Sequence, residues 1–400
     1  MRIGIVTSFP PSKVTLNEYA FHLVKHMRQH ADVKEIILFT DVPEDEAKIH
    51  LKDNGCTVRV VQCWKFNSMR NILTIGKAIR SMRPDTVLYN LQFMKFGDRK
   101  IPAALGLFLP WLTKLSGIPT VVLIHNILEA VDLNSAGFSN NPVKTRILNA
   151  IGRALTKVVL KADKVAVTIK DYVTMLQSNY LVNNIELIPH GTFEIPGSPD
   201  FEMQDRPVKL MTFGKFGTYK KVETMIEAGI IARNQTGIPM EIVIAGTDNP
   251  NTPGYLDSVK EKYKDIPMLT FTGYVEEEDV PKIFDESTVV IFPYTSTTGS
   301  SGVLHQAGSY GKAVVMPDLG DLARLVEDEG YRGEFFEPDN PLSMANGIVN
   351  LVTDTSYRCE IARANFHAAT AYPMSRIASM YMDTFTQIIV ERGSSERMAA

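Results

Sequence analysis

The sequence predicts an α/β protein made of two doubly wound parallel-sheet domains in series. Three observations predict it. Short apolar runs alternate with helix-length amphipathic segments, the alternation breaks once at a Pro-containing polar stretch, and it then restarts in the same rhythm. The length agrees, because 400 residues exceed one ordinary hydrophobic core and suit two domains.

In the first half, the strand-like runs are Ile3–Val6, Ile36–Phe39, Val58–Val61, Thr86–Tyr89, Thr120–Ile124, Lys164–Thr168 and Ile185–Ile188. Amphipathic stretches such as Glu18–Arg28 and Asn71–Ser81 lie between them and read as crossover helices. FEIPGSPDFEMQDRP, residues 193–207, reads as an interdomain linker. Strand runs then return at Lys209–Phe213, Glu241–Ala245, Leu269–Thr272, Val289–Phe292 and Ala313–Met316. Pro373 ends a helix, and Ile377, Met380, Tyr381, Phe385 and Ile388 follow at helical spacing. That helix, residues 374–392, is expected to cross back onto the first domain, with 393–400 as a disordered tail. The domains are therefore 1–195, with 374–392, and 207–373.

Composition excludes several classes. Hydrophobic residues make up 44% and charged residues 22%, which is globular and not disordered. Three cysteines, Cys56, Cys63 and Cys359, fit neither a disulfide framework nor a zinc site and point to a reducing, cytoplasmic setting. MRIGIVTSF reads directly as a strand, so no secretory leader is expected, and no apolar run is long enough to span a bilayer. Net charge is −3, divided as +8 over residues 1–195 and −11 over residues 196–400. This asymmetry suggests an anionic partner for the first half, a membrane surface or a phosphate-bearing acceptor. No nucleic acid is expected, because the basic residues are not interleaved with aromatics.

In open α/β sheets, ligands bind beyond the carboxyl ends of the strands. After the strand ending at Phe213, Gly214 leaves the strand, and Lys215 and Lys220 flank a loop entering a helix, a setting suited to a diphosphate. The bland alternative is two solvated lysines. After Val289–Phe292, a loop of six Ser/Thr and two Gly from Thr295 to Gly302 opens a helix. The amides of Ser301, Gly302 and Val303 there form an anion site, and Gln306 lies one turn further, within reach of a ribose. The alternative is a plain serine-capped helix. His125 follows the strand Thr120–Ile124, and His190 and Gly191 sit at the expected hinge, where Gly191 gives backbone freedom. No Gly-x-Gly-x-x-Gly follows the first strand, and no Walker loop, Asp-x-Asp or Gly-x-Ser-x-Gly motif is present. No catalytic metal or cofactor is expected, and no Ser-His-acid set stands out.

Four stretches carry a family resemblance: IHNILE at 124–129, IPHGTF at 188–193, FGKFGTYKKVETMIEA at 213–228, and the run from Phe271 to Val315. Together they resemble the retaining nucleotide-sugar glycosyltransferases of family 4. The resemblance implies the GT-B architecture, two Rossmann-like domains facing across a cleft, the first binding acceptor and the second binding donor. It implies that Lys215 and Lys220 neutralise the donor diphosphate and that backbone near Tyr274 and Val275 meets the base. It further implies that Gly214, Thr298, Ser300, Ser301, Gly302, Val303 and Gln306 line the donor site and that His125 touches the transferred sugar. The activity implied is transfer of a hexose from a UDP- or GDP-sugar to a glycan or lipid-linked acceptor in polysaccharide or glycolipid synthesis. The sequence departs from the pattern in two places. Thr298 and Gln306 stand where the family has two glutamates, and the loop SFPPSKVTLNEY at 8–19 lacks the usual Gly pair. The first departure keeps open a second reading, a non-catalytic GT-B protein that binds nucleotide-sugar or carbohydrate.

Residues 144–164 place Ile147, Leu148, Ile151, Leu155 and Val158 on one helical face, with Arg153, Lys157, Lys161 and Lys164 as a basic stripe. AALGLFLPWLTKL at 103–115 is short and very apolar. These features predict peripheral docking on an anionic membrane. The competing reading is a core helix whose outer face is solvated by lysines.

Overall fold

The structure is a computed structural model and describes residues 1–12, 14–42, 54–127, 142–203, 206–249, 251–276, 278–296 and 300–399. The chain divides into two compact units. The first holds the chain up to His190 and again from Met374, and the second spans Gly191–Pro373.

The first unit contains β1 (Arg2–Val6), α1 (Asn17–Met27), β2 (Glu35–Asp41), β3 (Thr57–Trp64), α2 (Asn71–Met82), β4 (Thr86–Leu91), α3 (Lys100–Gly106), α4 (Leu109–Leu115), β5 (Thr120–Ile124), α5 (Pro142–Val159), β6 (Lys164–Val167), α6 (Lys170–Tyr180) and β7 (Ile185–Leu187). Its sheet is parallel, in the order β3-β2-β1-β4-β5-β6-β7. All residues of β4 and β5 are buried, as expected of strands covered on both faces. The order reverses between β1 and β4, so the residues after those two strands meet at a topological switch point.

The second unit contains β8 (Val208–Phe216), α7 (Glu223–Thr236), β9 (Met240–Asp248), α8 (Tyr255–Lys262), β10 (Leu269–Gly273), α9 (Val280–Glu286), β11 (Val289–Ile291), α10 (Gly302–Ser309), β12 (Ala313–Pro317), α11 (Gly320–Glu329), β13 (Glu334–Phe336), α12 (Pro341–Thr353) and α13 (Thr355–Ala371). Its parallel sheet runs β10-β9-β8-β11-β12-β13. Leu210, Ile226, Ile242, Val289, Val315 and Ile348 lie in its buried core.

The chain then returns to the first unit as α14 (Met374–Ala399). Ile377, Tyr381, Phe385 and Ile388 recur every three to four residues and are all buried. Tyr381 meets the Tyr19 hydroxyl of α1, and Thr384 donates to Glu186 Oε2 of β7 at 3.0 Å. The helix continues through residues 393–399, where the sequence reading places a disordered tail. Glu396, Arg397, Met398 and Ala399 are good helix formers and let the helix propagate past Gly393.

Residues 193–203 do not behave as a tether. The Cys359 thiol donates to Phe201 O at 3.2 Å, Arg358 Nη2 donates to Glu202 O at 3.2 Å, and Gly311 leaves room for the Pro199 ring. The prolines mark an irregular path laid along the second unit. Phe385→Ala should destabilise the protein by about 3–5 kcal/mol through the cavity it leaves. Urea unfolding followed by circular dichroism would show this, and an unchanged midpoint would contradict the packing of α14.

Candidate active site

The site in the second unit is built on a close backbone approach. Gly214 and Gly246 are paired in register on β8 and β9, at φ 135° and 138°. A Cβ at Gly246 would lie 1.9 Å from the Gly214 carbonyl oxygen, so only glycine fits. The paired glycines carry β8 on to Phe216, so Gly214 does not end the strand as the sequence suggests. Lys215 therefore sits within the strand, opposite Thr247 and exposed.

Beyond the strand, residues 217–222 fold back against the segment after β11. Lys221 N–H donates to Pro293 O at 3.0 Å, Thr295 N–H donates to Tyr219 O at 2.8 Å, and Lys220 pairs with Tyr294. Lys220 Nζ lies 4.7 Å from the Tyr294 ring centroid, a cation–π contact. It also occupies the space a Gly214 side chain would fill, 2.7 Å from the position of a Cβ there. Tyr294 is buried, and burial raises its pKa, so it stays a phenol; its hydroxyl meets the Ser301 side chain.

Ser301 is the N-cap of α10, and its Oγ accepts from Leu304 N at 3.4 Å. No acceptor among the described residues takes the Gly302 or Val303 amide, as expected for the first turn of a helix. Tyr294 therefore brings together Lys220 and the positive end of α10. The end of α7 is a different matter. Val222 N–H donates to the Tyr255 hydroxyl at 2.9 Å, that hydroxyl bonds Glu223, and Glu223 itself sits in the first turn. The helix end brought beside Lys220 is thus that of α10, while the end of α7 is taken up by Tyr255 and Glu223.

Gln306 is partly exposed one turn into α10. Ser300 Oγ lies 3.2 Å from His305 Nε2. Tyr274 and Val275 follow the edge strand β10, and Tyr274 is 70% exposed. Thr298 lies outside the described residues.

In the first unit, Thr7 after β1, Asn90 near the end of β4 and His125 after β5 form one polar chain. Asn90 Nδ2 donates to Thr7 Oγ1 at 3.0 Å, which leaves Asn90 Oδ1 to accept from His125 Nε2 at 2.7 Å. His125 then carries its proton on Nε2 and presents Nδ1 as an acceptor. Tyr19 packs edge-on against both His125 (4.7 Å between centroids) and His190 (5.0 Å). Burial, with lesser contributions from His190 and Lys95, holds the His125 pKa well below the usual imidazole range, so the ring is neutral. Gly191, at φ 80°, marks the boundary between the units.

Sequence reasoning missed Lys95. It is buried, donates to the Ser8 hydroxyl and to Thr15 O at 2.6 Å, and so fastens the loop 8–16 at the switch point. Burial, opposed by the nearby Asp41, brings its pKa down to about 7. Among the described residues, no group of three or more His, Cys, Asp or Glu is placed to hold a metal ion, and no helix is long and apolar enough to cross a membrane.

The two doubly wound parallel units share the GT-B fold of the solved structures they resemble. Residues 207–354 match the family described as Glycosyl transferases group 1. No curated protein sequence matches the chain. Among solved structures, sucrose-phosphate synthase from Thermosynechococcus elongatus is similar at a TM-score of 0.74 and 16% identity, over 98% of this chain and 100% of that one. Anabaena HepE, in complex with UDP-glucose, is similar at 0.69 and 17% identity, over 97% and 100%. WaaG, a glycosyltransferase involved in lipopolysaccharide biosynthesis, is similar at 0.66 and 13% identity, over 96% and 100%.

Burial pushes the Glu329 carboxyl at the end of α11 up to about 8. The folded state thus binds its proton more tightly than the unfolded chain does. The associated stability is full below the ordinary glutamate pKa and is lost as pH rises through about 8. Glu329→Gln should remove a loss on the order of 3 kcal/mol between pH 5 and pH 9, read from urea unfolding at each pH. Parallel curves for variant and wild type would contradict this.

Proposed function

We propose that the protein transfers a hexose, with retention of configuration, from a nucleotide diphosphate sugar to a glycan or lipid-linked acceptor. One observation carries this reading: Tyr294 sets the Lys220 ammonium beside the unsatisfied amides of α10. As the glycosidic bond to the donor breaks, negative charge builds on the leaving diphosphate. Lys220, Lys215 and the Gly302 and Val303 amides stabilise that charge without waiting for solvent to reorganise, so no metal is required. The UDP-glucose held by HepE favours UDP over GDP. Neutral His125 would accept a hydrogen bond from a sugar or acceptor hydroxyl through Nδ1. Its neutrality suits contact with an oxocarbenium-like centre, where an imidazolium would be repelled.

Titration calorimetry tests the phosphate site. UDP should bind, Lys220→Ala should weaken it by about 10- to 100-fold, and Lys215→Ala by about 10-fold or less because Lys215 is exposed. Unchanged affinity for both UDP and GDP in the double variant would contradict the reading.

The acceptor side of the proposal places the first unit on an anionic membrane, at the cytoplasmic face. In support, Ile147 and Ile151 of α5 are 55% and 49% exposed, and Leu115 of α4 is 66% exposed. Arg153, Lys157 and Lys161 are exposed nearby, with Lys161 Nζ 4.4 Å from the Trp111 ring centroid. The buried side of α5 is Gly152, Thr156 and Val159, so Ile147 and Ile151 are not core residues, and Lys164 opens β6 instead of extending the basic stripe. The protein should float with vesicles of phosphatidylglycerol and phosphatidylcholine at low salt, and less at high salt. It should not float with phosphatidylcholine alone, and Ile147→Asn with Ile151→Asn should abolish flotation. Absence of flotation on the anionic vesicles would overturn the membrane proposal.

A further inference from the structure

Lys95 is a buried ammonium just after β4, in the unit that does not carry the diphosphate site. Its Nζ donates to the Ser8 hydroxyl and, at 2.6 Å, to Thr15 O, while Ser8 Oγ itself donates to Thr15 O at 2.6 Å. One cation therefore holds both stems of the loop after β1. A buried charge needs an answer from its surroundings. Asp41, at the end of β2, supplies the opposite charge, and the Trp64 ring centroid lies 5.9 Å from Nζ.

Each stem reaches Asn90. On the first, the Thr7 hydroxyl donates to Ser8 O at 2.9 Å, so its one hydrogen is committed and its oxygen accepts from Asn90 Nδ2 at 3.0 Å. On the second, Leu16 O faces the same Nδ2 at 3.5 Å, and a carbonyl cannot donate. Both stems thus demand the amino side of the amide, and the amide oxygen is turned to His125 Nε2 at 2.7 Å. Leu16 sits at φ 69°, a left-handed conformation that a leucine keeps only where its surroundings hold it. Its carbonyl also accepts from Ala20 N at 3.1 Å, in the first turn of α1. That helix carries Tyr19 against the His125 ring, 4.7 Å between centroids.

We infer that Lys95 is a positioning residue for His125: by clamping the two stems of the loop it fixes the Asn90 amide in one orientation, and so fixes His125 as an acceptor through Nδ1. The role rests on the reading in which His125 meets a sugar or acceptor hydroxyl. The titratable groups facing His125 are Tyr19, which meets Tyr381, and His190, 6.1 Å away between centroids, while Asp41 faces Lys95. Burial opposes an imidazolium at His125 most, and His190 and Lys95 oppose it further. Removing Lys95 takes away both a repelling cation and the fixed partner of Nε2, so His125 should then protonate more readily.

The test reads His125 in the ligand-free protein, by nitrogen-15 spectra assigned with His125→Asn. Wild type should show one neutral tautomer, with the proton on Nε2. Lys95→Met and Thr7→Val should each let the Nδ1–H form rise to about a tenth or more, the scale of one neutral hydrogen bond lost. Thr7→Ser, which keeps the hydroxyl, should match wild type. Lys95→Met should also move the titration of His125 up toward the ordinary imidazole range. UDP binding belongs to the other unit and should stay within about twofold in every variant. A wild-type proton on Nδ1, unchanged His125 spectra in either Lys95→Met or Thr7→Val, or UDP affinity falling in parallel with the tautomer change would each overturn the inference. If Lys95→Met fails to fold, Thr7→Val compared with Thr7→Ser decides it. If the spectra come out as expected and wild type binds no UDP, the clamp stands and the nucleotide-sugar reading falls.

Discussion

Tyr294 holds two sources of positive potential together in the second unit. Its ring face carries the Lys220 ammonium, and its hydroxyl meets the residue that caps α10. A lysine stem left to itself samples many rotamers and loses that entropy when it binds an anion. Here the aromatic face and the gap above Gly214 fix the ammonium beforehand. The close approach of β8 and β9 excludes a side chain at Gly246, and Gly214, at φ 135°, leaves open the space that the ammonium fills. Sheet geometry, glycine and cation–π contact thus combine to place charge at a helix end whose first amides have no acceptor among the described residues.

The first unit uses hydrogen bonds for a related purpose. Thr7, Asn90 and His125 stand at the ends of three adjacent strands, and the chain of donors through them leaves His125 neutral with Nδ1 as an acceptor. Lys95 ties the loop after β1 to the end of β4, across the point where strand order reverses. Both arrangements depend on strands ending at one edge of a parallel sheet. Such an edge gathers residues that are far apart in sequence, as with Thr7, Asn90 and His125.

Much of the fold was legible because the strands are continuous apolar runs and the helices are amphipathic, and both signals are local. Ile377, Tyr381 and Phe385 mark the returning helix by spacing alone. What failed was information that depends on partners. Gly214 looked like the end of a strand, because its match with Gly246 is invisible until β8 and β9 are paired. The lysines were assigned to the dipole of α7, because nothing local shows that Tyr255 and Glu223 occupy that end. The helix opening at Gly302 was legible from the small-residue loop before it. His305 was passed over because Tyr331 and Glu329 reach it from another element, and Lys95 because its partners lie on the loop after β1.

The account therefore stands on the amino end of α10 as the seat of the diphosphate, with Lys220 beside it. The most direct measurement is a crystal structure of the protein with UDP. The account predicts phosphate oxygens within hydrogen-bonding distance of the Gly302 and Val303 amides and of Lys220 Nζ. UDP bound elsewhere on the chain, with those amides facing only solvent, would contradict it.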